Sequence, residues 1–483
     1  MLLALALILS GCQGDVGPAG TSGSNGADGQ DGTTGPQGPV GQTGTTGALI
    51  SDPFKVTQFH GSANATEATR GLSNSANLCT TITAASVDAT TGKLMVDFTV
   101  KSSGADKIPC TADDIAYTGV LPATSMTFRF AQLRPGDNTG DSTYWVNYVN
   151  VSKTATIGPG FATIPVTKMN QGSGERGDTA GGTWTDNGNG TYRYVTNKVL
   201  TDGITIADPP KAGTYAYDAS LSHRVGIQMG DPDGTTGPAT MGANNSIYDF
   251  IPTTGTTVVD PREIVVVANC NECHGTLGLH GGGRLDTKMC VICHNPTQGE
   301  PNSMNIIDFK IMIHKIHMGK YLPSVVAGTP YVIYGFGTPP SKHDYSKVNF
   351  PAYPANCTKC HKNATMSDNY KNNPNKEACG ACHDGIDFST GLGTRVVGYN
   401  QGAGATNFAS SNISLTDHAG GIKTNADCVN CHQSSGTQAL TPLDTDPAPI
   451  PDVHDFVKKF ATGENTAELS ITKQDGTSPA TTP

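Results

Sequence analysis

Five copies of the motif Cys-x-x-Cys-His constrain this chain more than any other feature. Two thiols three positions apart on one helical turn can add to the two vinyl groups of a single haem, and the adjacent His then lies under the ring as the proximal iron ligand. A zinc site or a redox dithiol is the alternative for a Cys-x-x-Cys pair, but neither requires His directly after the second Cys. The pattern predicts five covalently bound c-type haems. The attachment pairs are Cys270 and Cys273, Cys290 and Cys293, Cys357 and Cys360, Cys379 and Cys382, and Cys428 and Cys431, with proximal ligands His274, His294, His361, His383 and His432.

The remaining histidines of this region are candidates for the other axial position of each iron. A second strong ligand restricts a haem to electron transfer, whereas an open position permits chemistry on a bound substrate. Six candidates serve five irons, and this surplus favours bis-histidine ligation, with a surface histidine as the alternative for each. The candidates are His280, His314, His317, His343 and His418, with His454 in reserve.

The segment DFKIMIHKIHMG contains the best-placed pair of these candidates. Asp308 is expected to cap a short helix, and His314 and His317, three residues apart, would share one face of it. The two imidazoles could therefore reach two haems on the same side. His280 lies in LHGGGR, where glycines allow the backbone to approach a ring closely.

The N-terminal sequence MLLALALILSGCQG predicts export. Its apolar run is too short to span a membrane, and the residues before Cys12 resemble the lipobox of bacterial lipoproteins. We therefore expect a signal peptide over residues 1–11 and a lipidated Cys12, with a secreted form cleaved nearby as the alternative. No Lys or Arg precedes the apolar run, which leaves open a true start upstream.

Residues 12–49 form a Gly-rich segment with glycine at every third position from Gly14 to Gly47. Only glycine fits the axis of a collagen triple helix, so the unbroken phase favours a collagen-like stalk that would make the chain a homotrimer. Proline is sparse in the segment, which favours a flexible spacer instead. Both interpretations place a spacer between the lipid anchor and the rest of the chain.

Residues 50–255 are predicted to form an all-β split barrel or sandwich. Turn signals separate short alternating runs such as KLMVDFTV (93–100) and TYRYVT (191–196). Cys79 and Cys110 are expected to form a disulfide, with a redox switch as the alternative. His223 lies in a strand-like run and is expected to be a packed or surface residue.

Residues 256–462 are predicted to form a pentahaem domain with short helices and much coil. Hydrophobic residues make up only 36% of the chain, so the haems themselves are expected to form the core of this domain. The net charge is −10 with scattered Lys and Arg; a nucleic-acid partner is excluded because it would require a clustered basic surface.

Several of these segments together resemble the OmcA/MtrC family of outer-membrane multihaem cytochromes. They are REIVVVANCNECHGTLGLHGGGR, CVICHNP, DFKIMIHKIHMG, HDYSKVNFP and HAGG in the haem region, and SVDATTGKLMVDFTV and LSHRVGIQMGD upstream. The resemblance covers residues 75–462. It implies a lipid-anchored cell-surface protein, with a split barrel and a pentahaem domain, that passes electrons from an outer-membrane conduit or other cytochromes to metal oxides, flavins or electrodes. It also implies that His280, His314, His317, His343 and His418 are the distal ligands.

The sequence departs from the family pattern at both ends. The family usually has ten haems and a second barrel, whereas here residues 463–483 contain only AELSITKQDG, as if a second barrel had started. A natural half-length form and an interrupted gene are both compatible with this. The collagen-like segment lies outside the family pattern. The alternatives to electron relay are a multihaem reductase with one open haem site, a subunit of a cytochrome filament, and a structural adhesin.

Overall fold

The computed structural model describes residues 78–120, 126–156, 168–176, 181–229, 244–258, 261–280, 282–335, 337, 340–351, 354, 356–388, 391–393, 418 and 424–432. All of them belong to one compact unit, Asp52–Pro483. The predictions for the signal peptide, Cys12, the Gly-rich segment, His454 and the tail at 463–483 concern residues outside this described part.

Strands dominate the described part of residues 78–257. They are β1 Leu78–Val87, β2 Lys93–Ser102, β3 Ile115–Ala116, β4 Met126–Arg134, β5 Tyr144–Asn147, β6 Asn150–Thr154, β7 Lys168–Gly172, β8 Glu175–Arg176, β9 Thr183–Asp186, β10 Thr191–Val199, β11 Ile204–Ile206, β12 Gly213–Tyr215, β13 His223–Met229, β14 Asn245–Ile251 and β15 Thr256–Thr257.

Two antiparallel sheets are built from these strands. The first has the order β1-β2-β10-β9 with β3 beside β2, and the second has the order β15-β14-β13-β4-β5 with β8 beside β4. Alternation along β2 explains the packing, because every second residue from Leu94 to Val100 is buried and successive side chains of a strand point to opposite faces. The runs predicted as strands at 93–100 and 191–196 are found in β2 and β10, respectively.

The main hydrophobic core lies between the two sheets. Phe98 of β2 contacts Phe128 of β4 edge-on with ring centroids 5.7 Å apart, and Phe128 stacks on Tyr194 of β10 at 4.1 Å. His223 is buried here at 1% exposure, with Nε2 2.8 Å from the Tyr148 hydroxyl and Nδ1 2.9 Å from the Leu221 carbonyl. This histidine is therefore a packed residue of the barrel core.

Side chains join the two sheets where β1 meets β14. The backbone N–H of Ile82 donates to Ser246 Oγ at 2.7 Å, and Asn244 Nδ2 donates to the Thr80 carbonyl at 2.7 Å. A disulfide joins Cys79 on β1 to Cys110, with Cα atoms 5.1 Å apart, and so fastens the loop after β2. The split-barrel architecture follows from these lateral contacts.

Short helices and coil replace the sheets after residue 260, as predicted. The α-helices are α1 Val267–His274, α2 Thr287–Cys293, α3 Phe309–Met318, α4 Pro323–Val326, α5 Asn369–Asn372, α6 Lys376–Cys382 and α7 Asn425–Cys431, with 3₁₀ turns at Gly319–Tyr321 and Cys357–Lys359. The small strands are β16 Gly299–Glu300, β17 Asn305–Ile306, β18 Val332–Tyr334, β19 Lys342–Asp344, β20 Ile386–Asp387 and β21 Leu392–Gly393. Among the described residues, no helix has the length and apolar character needed to cross a bilayer.

Helix α2 packs against the outer face of the second sheet. Met289 and Ile292 of α2 are buried against Trp145 of β5. Gly226 of β13 permits this approach, because a Cβ there would lie 2.8 Å from Met289 Cε. The second Cys-x-x-Cys-His motif is thereby placed directly on the barrel.

Candidate haem-binding sites

Each Cys-x-x-Cys-His motif adopts a single helical turn. The backbone N–H of the motif histidine donates to the carbonyl of the first cysteine in four motifs, at 2.8 Å for His294, His361 and His432 and at 2.9 Å for His383. Local capping supports the turns, since Asp286 accepts from Lys288 N at 2.8 Å and Asn375 from Ala378 N at 2.9 Å. One turn therefore presents both sulfur atoms and the imidazole of a motif together.

Four motif histidines face a histidine from elsewhere in the chain. The facing rings and their centroid separations are His274 with His317 at 6.1 Å, His294 with His280 at 5.9 Å, His361 with His314 at 6.2 Å, and His432 with His418 at 6.3 Å. An imidazole nitrogen lies about 2 Å from a metal that it binds and its ring centre about 1 Å farther, so two imidazoles on opposite sides of one metal have centres about 6 Å apart. The observed separations match this value, and the residues present thus fit an iron held between two imidazoles.

Backbone carbonyls set the orientation of two of these rings. His294 Nδ1 lies 2.9 Å from the Ile307 carbonyl, and His317 Nδ1 lies 2.8 Å from the Ile313 carbonyl. A carbonyl can only accept, so Nδ1 carries the proton in both residues and Nε2 is left as the metal-binding atom.

Burial favours the neutral form of two candidate ligands, His294 and His314. Desolvation lowers the pKa of His294 to about 4 and the pKa of His314 to about 4, and metal binding requires the neutral imidazole. The Nδ1 atoms of His314 and His361 are buried and have no hydrogen-bond partner.

His280 has an unusual backbone conformation. Its φ is +51°, in the left-handed region that residues other than glycine seldom adopt. Its side chain is exposed to solvent, yet desolvation by the surrounding protein lowers the pKa of the imidazole. A residue that lines a concave surface shows both properties, because its ring is accessible but has protein on several sides. Strain of this kind is typical of a residue held in place for function.

Helix α3 presents its two histidines to two different motifs. His314 faces His361 of the third motif and His317 faces His274 of the first. Asp308 occupies the N-cap position as predicted, but its side chain makes no capping hydrogen bond and instead lies 3.8 Å from Lys310 Nζ. The predicted N-cap position of Asp308 is therefore confirmed, whereas its side chain makes no capping hydrogen bond.

An ion pair fastens α3 beside the fourth motif. Lys315 Nζ lies 2.7 Å from Asp384 Oδ2, and Asp384 also accepts from Ser324 N at 3.0 Å and Ser324 Oγ at 2.7 Å. Asp384 directly follows His383. This network fixes the distance between the helix that carries two candidate distal ligands and the turn that carries a motif histidine.

His343 and His383 are the remaining two candidates within the described residues. His343 lies half-buried on β19, with Nε2 3.1 Å from Ser341 Oγ. His383 ends α6 as its C-cap residue and is exposed.

The pKa values of five motif thiols do not favour a redox dithiol. Desolvation raises the pKa of Cys270, Cys357 and Cys379 to about 11 and that of Cys290 and Cys382 to about 12. A redox-active Cys-x-x-Cys pair has instead a lowered pKa, because the thiolate is the reacting form. The dithiol interpretation therefore loses its physical basis at these sites. No group of three or more His, Cys, Asp or Glu side chains that could hold a metal ion occurs in the described part of the chain.

The motifs form a continuous series in space that differs from their order in sequence. Cys290 of the second motif interacts electrostatically with Cys270 of the first, and Cys273 with Cys360 of the third. Hydrogen bonds of 2.7 Å from Asn269 Nδ2 to the Cys360 and Lys362 carbonyls join the first and third motifs. The series continues from Cys357 to Cys382 and from Cys379 to Cys428, so the spatial order is second, first, third, fourth, fifth.

Two barrel residues reach the second motif without any signal in the sequence. Asn147 Nδ2 lies 3.5 Å from Cys293 Sγ, and the buried Arg129 interacts electrostatically with the same cysteine. Both belong to strands in which outward positions alternate with core positions, so the pattern alone assigns them to a solvated face.

Comparisons with known proteins agree with this arrangement. A family model for outer membrane cytochrome MtrC/MtrF-like, domains II/IV, matches residues 262–443. The crystal structure of the outer membrane decaheme cytochrome OmcA matches with a TM-score of 0.55 and 24% identity over 80% of this chain and 50% of that chain. MtrC from Shewanella baltica OS185 matches with a TM-score of 0.43 and 21% identity over 82% of this chain and 46% of that one. No match was found among curated proteins.

The chain thus spans about half the length of the solved structures that it matches. The likeness to OmcA shows a shared fold, and the family model adds the haem-motif region. The family model confirms the resemblance drawn from the motifs over residues 262–443, which match outer membrane cytochrome MtrC/MtrF-like, domains II/IV.

Proposed function

We propose that this protein is a cell-surface, outer-membrane multihaem c-type cytochrome that works in extracellular electron transfer. The observation that carries the proposal is the set of four facing histidine pairs with ring centroids 5.9 to 6.3 Å apart, each including one motif histidine. Haem held between two strong ligands supplies one-electron chemistry and leaves no open position for a substrate.

Each haem site would use residues from two places in the chain. Cysteines of one motif would form the thioether bonds and the adjacent histidine would bind the iron from one side. His317, His280, His314 and His418 would bind from the other side at the first, second, third and fifth motifs. By elimination, His343 is assigned to the fourth motif with His383. His454 stays in reserve as an alternative ligand.

The series of motifs supports transfer along the chain. Adjacent motifs are joined by direct contacts, such as the Lys359 and Lys362 ion pairs with Glu272 at 2.9 and 2.7 Å. Asn425 makes a similar connection near the fifth motif, because its Nδ2 lies 3.1 Å from Glu377 Oε2 and its Oδ1 accepts from Lys376 N at 2.8 Å. The protein would thereby hold its five cofactors in a fixed sequence.

The distribution of buried apolar residues supports a haem core. The largest hydrophobic cluster consists of barrel residues between Leu78 and Phe250. The second cluster lies at the junction of α2 with the barrel. Within the described part of residues 261–432, the protein therefore builds no apolar cluster of comparable size away from that junction, and we infer that the haems provide the apolar interior there.

Lipidation at Cys12 would attach the protein to the outer membrane, and the Gly-rich segment would separate the anchor from the barrel. Electrons would arrive from an outer-membrane conduit or another cytochrome and leave to metal oxides, flavins or electrodes. A collagen-like trimer at residues 12–49 would place three copies side by side. The conduit and the acceptors are carried over from the family resemblance, whereas the trimer is inferred from the glycine at every third position.

Electron paramagnetic resonance of the oxidised protein, with haem stoichiometry on the same sample, tests the proposal. We expect five haems per chain, all low-spin. His317→Ala should convert one haem to high-spin at unchanged stoichiometry, because the thioether bonds and His274 still hold it. A high-spin haem in the unaltered protein would replace the electron-relay function by that of a reductase with an open site.

A further inference from the structure

Arg129 is a buried cation without a carboxylate partner in the part of the chain that the structure describes. Its side chain is 7% exposed, and Nε and Nη1 are buried with no hydrogen-bond partner. Burying a guanidinium without an anion costs several kcal/mol (order of magnitude). Arg224 on the neighbouring strand shows the usual solution, a bidentate pair with Asp249 at 2.7 Å. Arg129 therefore calls for a different compensation.

The position of Arg129 explains where that compensation comes from. On β4 it alternates with the core residues Phe128 and Phe130, so it points out of the barrel on the face that carries α2. It stands opposite Gly226 in the register, and on its other side a Cβ at Gly174 would lie 2.8 Å from Arg129 Cγ. Two glycines thus leave room for the long side chain to lie on the sheet.

The groups near the guanidinium include a cysteine of the second motif and the histidine that faces this motif. Arg129 interacts electrostatically with Cys293, with His280 and with Arg284. Arg284 is held by its Nε hydrogen bond to Gln228 Oε1 at 3.2 Å. Two cations, Arg129 and Arg284, therefore lie near His280, while the carboxylate of Asp286 lies near Cys290 of the same motif.

We propose that Arg129 is a positioning residue of the second haem site, through which the β-barrel raises the reduction potential of the haem bound at Cys290 and Cys293. Reduction adds one electron to the iron, from an electrode or a neighbouring centre, and a fixed buried cation stabilises the form that carries this added negative charge. The inference rests on the proposed haem attachment.

The size of the effect follows from Coulomb's law. A unit charge some 8 to 10 Å away at an effective dielectric constant near 20 changes the oxidised-to-reduced ratio by about tenfold or more. A tenfold change corresponds to 59 mV for a one-electron couple. Arg129→Gln should lower the reduction potential of one haem in five by about that amount. Arg129→Lys keeps the charge, so this variant should lower the potential of that haem much less.

The test is a spectroelectrochemical titration of the haem-loaded full chain, with electron paramagnetic resonance of the same samples. His280→Met changes a ligand of the second haem and so marks which component of the titration belongs to it. Arg193→Gln is the matched control, because Arg193 is an exposed arginine of the same barrel that pairs with Asp97. We expect Arg129→Gln to move the component that His280→Met moves, and Arg193→Gln to move none.

Two results would overturn the proposal. One is an unchanged reduction potential of the second-haem component in Arg129→Gln and in Arg129→Met. The second variant is apolar and of similar length, and it serves if the first does not fold. The other is a potential shift in Arg129→Lys as large as that in Arg129→Gln, because such a result would assign the effect to packing and not to charge. Absence of haem from the unaltered protein would instead refute the proposed function, so the two failures are distinguishable.

Discussion

Two Arg–Asp pairs of the barrel share one geometry and differ in burial. Arg224 and Asp249 are cross-strand neighbours on β13 and β14 and form two bonds of 2.7 Å. Their side chains are 0% and 4% exposed. Arg224 also donates to the Lys288 carbonyl at 3.2 Å and stacks over Trp145 at 4.4 Å, so it joins the barrel to α2.

Asp249→Asn is predicted to lower the free energy of unfolding by about 3–5 kcal/mol. The amide nearly preserves the shape of the carboxylate but removes its charge. Arg224 keeps its positive charge in a site without water, and this uncompensated cation accounts for the loss. The same substitution should loosen α2 on the sheet, because the Lys288 carbonyl is held by the same guanidinium.

Asp97→Asn is the matched control. Arg193 and Asp97 are also cross-strand neighbours with bonds of 2.6 and 2.7 Å, but their side chains are 49% and 34% exposed. Water solvates the remaining arginine there, so the loss should be only about 0–1 kcal/mol.

Urea denaturation of the haem-loaded chain measures both variants. The two tryptophans of the protein, Trp145 and Trp184, lie in the barrel, so their fluorescence should report its unfolding. We expect the midpoint to fall for Asp249→Asn at an unchanged slope and to stay nearly constant for Asp97→Asn. Equal losses in the two variants would refute the argument that burial, and not pairing geometry, decides the energy.

Three further predictions concern other parts of the molecule. Burial lowers the pKa of His223 to about 4 from its ordinary 6.5, so the unfolded chain takes up a proton first as the pH falls, and the free energy of unfolding should decrease by roughly 3 kcal/mol between pH 6.5 and 4. The urea midpoint of His223→Gln should depend less on pH than that of the unaltered protein. An equal pH dependence in the two proteins would contradict the assignment. Gly172→Ala would place a Cβ 3.0 Å from Cys293 Cα and should cost about 1–3 kcal/mol in the same urea assay, whereas Gly213→Ala, with no atom nearer than 3.6 Å, should be tolerated. Asp384→Asn removes the carboxylate that holds Lys315 and Ser324 and should lower stability by about 1–3 kcal/mol, while Asp368→Asn, at an exposed pair with Lys371, should change the midpoint little.

Local chemistry made much of this architecture predictable from sequence. The motif turns follow from the spacing of two cysteines and one histidine, and strands such as Lys93–Ser102 follow from strict alternation. The choice of His314 and His317 on one helix also rested on spacing alone, and the structure places them opposite His361 and His274. These features depend on residues that are close together in the chain.

Long-range packing accounts for what the sequence could not predict. The first motif adjoins the third as well as the second because Asn269 bonds to the Cys360 and Lys362 carbonyls, a contact across about ninety residues that no local pattern encodes. Arg129 was invisible because an outward arginine in a strand is ordinarily solvated.

The barrel therefore contacts the helix that carries the second motif, and it would contribute residues to the haem site proposed there. Strand β13 leaves a gap at Gly226 that Met289 fills, Asn147 reaches Cys293, and Arg224 binds the Lys288 carbonyl. All three contacts fall on the seven-residue helix α2. Because the second motif stands at one end of the spatial series of motifs, the sheet has direct physical access to a terminal haem site. A change on the outer face of β4, β5 or β13 should accordingly alter the end of the series while leaving the third to fifth motifs unchanged.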